Sequence, residues 1–282
     1  VIPKGDHISR FDHNIFEEVV KNLIKRKLKN ESALMAETTS TEYTPCPIFV
    51  VANSVTNADA PPVLFRSYDR KGQSAAECYI WQATRATSAA PSFFKPMRIE
   101  IPKPGRFYID GGLRYNNPSK LVLDEARHIW PTVKRFCLVS IGTGRQQTIE
   151  FVNINESPSS MEQDSGRLAR AIPGTKLFRT IGNSTRGMLQ LKRIAEASVR
   201  MSTSSEPVHQ ELYKLAHSGF DNSLRYHRFN VEKGMDSIGL EEWKANERLA
   251  QLTDDYMREG EAEKKRDDCV KDLVNPGPVE CK

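Results

Sequence analysis

The feature that most constrains this chain is a series of short apolar runs, each closed by a glycine, proline, asparagine or aspartate, with helical patterns set between them. Five segments are too short for helices and rich in β-branched and aromatic residues, so each is expected as a strand: Pro47 to Asn53, Val63 to Tyr68, Met97 to Ile101, Arg106 to Ile109 and Arg135 to Ile141. Between them, Ala75 to Ala90 and Leu121 to Trp130 read as helices stopped by Pro91 and Pro131. The alternation of apolar strands with helices implies an α/β fold with a largely parallel sheet.

A further helix is expected from Asp12 onward. Phe16, Val19, Val20, Leu23 and Ile24 recur at helical spacing, with Lys21, Lys25, Arg26 and Lys29 on other faces. The apolar stripe is expected to pack on the core, and the basic group offers a docking surface for anionic lipid. After Gln146 the chain turns polar; residues 151–170 read as a long loop, and Arg186 to Ser218 and Gly239 to Asp268 as helices. The expected organisation is therefore a domain over residues 1–145 followed by a helical extension and charged tail over 146–282.

Composition enters as a filter on function. With 282 residues, 38% hydrophobic and 27% charged, the chain has room for a sizeable core and is not disordered throughout. Its 41 Lys and Arg against 36 Asp and Glu give a net charge of +5, too mild for a protein that coats nucleic acid, and no nucleic-acid partner is expected. No apolar run approaches the ~18 residues that span a bilayer. Val1-Ile2-Pro3-Lys4-Gly5-Asp6-His7 is polar and broken by proline, unlike a secretory signal. The five cysteines form no CxxC, and the six histidines fall at no metal-ligand spacing. Reduced thiols, no metal, no organic cofactor, and a cytoplasmic location with peripheral membrane contact are expected.

Ligands of parallel α/β sheets bind beyond the carboxyl ends of strands. Two such ends stand out. Asp110 closes Tyr108-Ile109 and precedes Gly111-Gly112, placing a carboxylate where bare backbone lets another group approach. Taken alone, an Asp-Gly-Gly is more often a tight turn whose Asp bonds its own backbone. The second end, Gly142-Thr143-Gly144, lacks the Gly-Lys-Ser/Thr of a phosphate loop and reads as a structural turn. Asp124 and Glu125 as a glycosidase pair are disfavoured, because adjacent helical residues point to different faces. No Gly-x-Ser-x-Gly occurs, and Ser88 near a helix end is assigned to packing.

Three strings in this order and spacing, Trp81 to Phe94, Tyr108 to Pro118 and Leu138 to Gly144, resemble the patatin-like phospholipase family. The resemblance implies a three-layer α/β fold and a Ser-Asp dyad that hydrolyses acyl esters of glycerolipids or phospholipids without a cofactor. It assigns the proton acceptor to Asp110, with Gly111, Gly112, Asn117 and Pro118 supporting the turn. An ordinary Asp pKa near ~3.9 makes a weak base at neutral pH, so burial beside the glycines must raise it. In this family a glycine-rich oxyanion loop and a Gly-x-Ser-x-Gly elbow precede the Asp-Gly-Gly, and neither is present here. The chain is thus expected to lack the N-terminal strands and the nucleophile. It is read as a fragment fused to further domains in its parent protein, and as inactive alone. The alternative is a non-catalytic lipid- or protein-binding module with the same fold.

Overall fold

The computed structural model describes residues 11–36, 46–56, 60–91, 93–100, 103–145, 204–218, 223–235, 237–239 and 242–274. The chain divides into two compact units, Val1–Arg145 with Thr203–Lys282 and, separately, Gln146–Ser202. The loop expected at 151–170 and the helix expected over 186–203 lie outside the described residues, and everything below concerns the first unit.

Helix α1 (His13–Leu28) starts on Asp12, whose side chain accepts from the Asn14 N–H at 2.8 Å, and ends on Lys29 in the left-handed conformation. It buries Val20 and Ile24 against Ala33, Ile80 and Trp81. Only part of the expected stripe is used: Val19 and Leu23 stay exposed, as does Ile15. The basic group is partly engaged, with Lys21 Nζ 3.9 Å above the Trp81 ring and Lys25 Nζ 3.6 Å from Glu31.

The next elements are β1 (Phe49–Ser54), β2 (Val63–Arg66), α2 (Ile80–Thr87), β3 (Met97–Ile99) and β4 (Arg106–Asp110). The strands form one sheet in the order β2-β1-β4-β3, antiparallel throughout. Helix α2 lies on it through the small side chains Ala83 and Ala86, which let the helix come close to Ala52, Phe65 and Tyr108. The same helix buries Arg85. Its Nη2 donates to the Lys95 carbonyl at 2.7 Å, its Nε lies 3.5 Å from Glu17 of α1, and Nε and Nη1 make no hydrogen bond.

After a single helical turn, α3 (Gly112–Tyr115), come α4 (Ser119–Ile129) and β5 (Phe136–Ile141), then α5 (Glu206–His217), β6 (Leu224–Phe229), α6 (Asn246–Arg258) and α7 (Gly260–Val274). Strands β5 and β6 pair in parallel over their full lengths. Leu123 of α4 and Leu212 of α5 pack on Leu138, Leu224 and Tyr226. On the alternate side chains of β6, His227 Nε2 lies 2.8 Å from Asp272 of α7. Tyr256 and Ala262 of the two last helices are buried with Val231, so the charged C-terminal helices carry an apolar side that packs.

The α/β class is what the structure has, and β5 with β6 supplies parallel pairing. The expected largely parallel sheet is corrected: the larger sheet is antiparallel. For two of its three pairings, β1 with β2 and β3 with β4, the physical reason is connection length. Parallel neighbours need a crossover of about a dozen residues or more, and the links 55–62 and 100–105 are too short to provide one. Continuous apolar runs mimic parallel strands here because α2 and the neighbouring segments cover β1 closely.

Candidate active site

The Asp110 turn is built from close approaches of bare backbone. A Cβ on Gly111 would overlap the Val51 carbonyl oxygen of β1, so only glycine lets the turn sit against that strand. Val51 O also accepts from Thr87 Oγ1 at 2.6 Å, which ties the end of α2 to the same point. The Asp110 main chain is pinned on both sides: its N–H donates to Ala89 O at 3.1 Å, and its carbonyl accepts from Asn53 Nδ2 at 2.8 Å.

The Asp110 side chain is half-buried, and its Oδ1 accepts from the Gly112 N–H at 2.7 Å. Among the described residues no group donates to Oδ2 and no cation pairs with the carboxylate. Burial pushes the carboxyl above the usual Asp range, and the Gly112 N–H opposes that only in part. The result is a carboxylate one of whose oxygens is fixed and the other free to accept a proton, more basic than an Asp in water.

The other residues expected at the site fall elsewhere. Asn117 is buried: its Oδ1 accepts from Ser119 N–H and Ser119 Oγ at 3.2 and 2.6 Å, and its Nδ2 donates to the Ser205 carbonyl at 3.1 Å. Pro118 starts α4 and provides no side-chain cap. Both line a cavity of about 210 Å³ beside Gly142-Thr143-Gly144, together with Ser140, Ser205 and Arg228. Asp110 does not line it. The candidate site thus separates into Asp110-Gly111-Gly112 on one side and Asn117-Pro118 with the cavity on the other.

Gly142-Thr143-Gly144 bends the chain at Thr143 and is tied to distant chain. Gly142 N–H donates to Phe229 O at 2.8 Å and Gly144 N–H to Asn230 Oδ1 at 2.9 Å. Ser88 closes α2 as its C-cap. Glu125 is engaged as well, since Arg66 grips it with two donors at 2.6 and 2.8 Å, Arg70 Nη1 lies at 2.6 Å, and Tyr68 Oη donates at 2.9 Å. The Arg66 hydrogen bond holds its carboxyl below the ordinary Glu range, so Glu125 is a structural anchor of α4 on β2. Among the described residues, no cluster of three His, Cys, Asp or Glu side chains is arranged to hold a metal ion, and no helix is long and apolar enough to cross a membrane.

Sequence reasoning reached Asp110 but missed Ser119, Ser140, Ser205 and Arg228. Arg228 stands on β6, more than a hundred residues after the Asp110 motif. Nothing local marks it, because its hydrogen-bond partners come from two other segments, at Ser140 and Ser205.

The strand that ends on the partly buried Asp110-Gly111-Gly112 lies within the segment that the comparisons match. Residues 9–123 match the patatin-like phospholipase family model, and this segment is a patatin-like domain sequence. The chain is 35% identical over 146 residues to the mouse calcium-independent phospholipase A2-gamma, covering 49% of this chain and 17% of that protein. It is 26% identical over 172 residues to phospholipase A I of Arabidopsis thaliana, covering 50% and 13%. With patatin-like phospholipase 1 of Plasmodium falciparum it shares 27% identity over 233 residues, 74% of this chain and 30% of the relative. The chain therefore spans under a fifth of the length of the first two relatives. The family match includes Asp110, Asn117 and Pro118, and stops before Ser140 and Arg228.

Proposed function

We propose that this chain carries the aspartate half of a patatin-like serine acyl hydrolase acting on glycerolipid or phospholipid esters. In this reading Asp110 is the proton acceptor that orients and deprotonates a serine nucleophile, the acyl group passes to that serine, and water then releases it. The observation that carries the reading is the Asp110 carboxylate, held at Oδ1 by Gly112 N–H, left open at Oδ2 among the described residues and made more basic by burial. The relatives' names supply the substrate class.

These 282 residues contain no Gly-x-Ser-x-Gly, so the chain by itself does not turn over esters. The test is hydrolysis of a chromogenic short-chain acyl ester by the purified chain. The expected rate equals that of buffer with an inert protein, and a rate abolished by Asp110→Ala would overturn the absence of a nucleophile. The dyad role is read in a longer patatin-like protein with this segment in place: Asp110→Asn should cut kcat by about 10² or more with KM little changed. Unchanged kcat removes Asp110 from the mechanism.

A second reading, a lipid-binding module without catalysis, is favoured by α1, which exposes Ile15, Val19 and Leu23 on one face beside Arg26 and Lys27. Val19→Ser with Leu23→Ser should leave stability within about 0.5 kcal/mol, since both side chains are already exposed. Sedimentation with anionic vesicles should fall severalfold. Equal sedimentation of variant and parent would take α1 out of membrane binding.

A further inference from the structure

The cavity beside Gly142-Thr143-Gly144 holds a buried positive charge that no acidic side chain neutralises among the described residues. Arg228 is 8% exposed, and among the described residues it forms no ion pair. Its Nη1 donates to Ser140 Oγ at 2.7 Å and its Nη2 to Ser205 Oγ at 3.0 Å. Ser140 in turn lies 2.8 Å from Ser119 Oγ, which donates to Asn117 Oδ1. The charge is spread over hydroxyls but not cancelled. Removing a guanidinium from water without an opposite charge is costly, and proteins pair such groups or keep them for a ligand.

The other described walls are neutral side chains and backbone. Among the described residues, no acidic side chain lines the cavity. Helix α4, eleven residues long, begins at Ser119 on its edge with no acidic residue in its first turn, and Asn117 Oδ1 takes the Ser119 N–H of that turn. In the glycine turn, Gly142 and Gly144 use their N–H groups on Phe229 and Asn230, while the Thr143 N–H between them has no partner among the described residues. A Cβ on Gly142 would overlap Asn230 Oδ1 and press on Arg228, so glycine is what leaves the floor open.

We propose that this cavity binds a phosphoryl oxyanion, gripped by the Arg228 guanidinium with Ser205 hydroxyl, Thr143 N–H and the start of α4 as further donors. The donors converge from four chain segments, which suits a tetrahedral group better than a planar carboxylate, and about 210 Å³ accommodates one such group with a water or two. The group is carried either by a phospholipid headgroup or by a small free phosphate. The site stands apart from Asp110 and does not depend on ester hydrolysis.

The test uses the full 282-residue chain and reads binding, not turnover. Inorganic phosphate, titrated at constant ionic strength, should give a saturable rise in the unfolding temperature and a calorimetric isotherm where chloride gives neither. Arg228→Gln should weaken phosphate at least about tenfold. Should that variant fail to fold, Ser205→Asp serves instead: it places a carboxylate against Arg228, keeps the fold, and should abolish the phosphate response. Phosphatidate vesicles added as competitor separate the sources. Displacement of phosphate by them, but not by diacylglycerol vesicles, assigns the headgroup; saturable phosphate binding without displacement assigns the small anion. Phosphate indistinguishable from chloride in the folded parent chain, or a Ser205→Asp variant that binds phosphate as the parent does, overturns the site.

Discussion

The ends of β4 and β5 make an instructive pair. Both strands run into glycines, and both hold a charged side chain nearby that no opposite charge neutralises among the described residues. At β4 the charge is Asp110, and its fixed partner, the Gly112 N–H, lies two residues away. Beyond β5 the charge is Arg228, and its partners Ser140 and Ser205 come from other segments, the first of them 88 residues away in sequence. One arrangement is local and survives in a short motif; the other exists only because β6 returns to lie beside β5. A carboxylate fixed by its own turn can have its basicity tuned by burial. A cation assembled by topology can be given a chamber around it.

The largest break between the two regions is expected at Glu125, because α4 is anchored on β2 at one end and opens the cavity at the other. Glu125→Ala would leave Arg66 and Arg70 without their carboxylate in a mostly buried place. A loss of about 3–5 kcal/mol follows, read by urea denaturation. A loss under about 1 kcal/mol would show that α4 is held by its apolar side alone.

Next in size is a pair of glycine substitutions. Gly111→Ala drives a methyl into the Val51 main chain, which cannot yield without moving β1, and should cost about 2–3 kcal/mol. Gly142→Ala meets the Asn230 and Arg228 side chains, which can swing aside, so its stability cost should be the smaller of the two. Equal costs by thermal unfolding would mean that the cavity floor is as rigid as the Asp110 turn.

The smallest effect is one of sign. The Asp110 carboxyl is raised above its unfolded value of 3.8, so ionising it in the fold opposes stability as pH climbs from there through the folded pKa. Asp110→Asn should therefore gain on the parent over that window and hold the gain above it. Glu125, depressed below 4.5, works the other way: its contribution is complete above that value and is lost as pH falls through the folded pKa. Stability curves of parent and Asp110→Asn that stay parallel from about pH 3 to 8 would contradict the burial of the Asp110 charge.

What could be read in advance follows the same divide. The strands at Phe49–Ser54, Arg106–Asp110 and Phe136–Ile141 were legible because their apolar runs are short and end on turn residues, and α2 because its alanines are spaced for close approach. Strand direction was not. Apolar runs report burial, whereas the short links 55–62 and 100–105 decide pairing. Helix α1 was legible as a helix but not in its facing, since Val19 and Val20 are equally apolar and only the position of Trp81 and Ala33 selects Val20. Glu125 reads as one more acid on a charged helix until β2 brings Arg66 to it.

Arg85 bears on how α1 is seated. The guanidinium sits almost wholly inside, its pKa lowered by loss of water, with Glu17 of α1 as the carboxylate beside it and two of its nitrogens making no hydrogen bond. Lifting α1 would give those nitrogens solvent, which offsets part of the cost of exposing Val20 and Ile24 to water. The seat of α1 is thus held by its apolar side and by Glu17, over a guanidinium that the helix itself keeps from water.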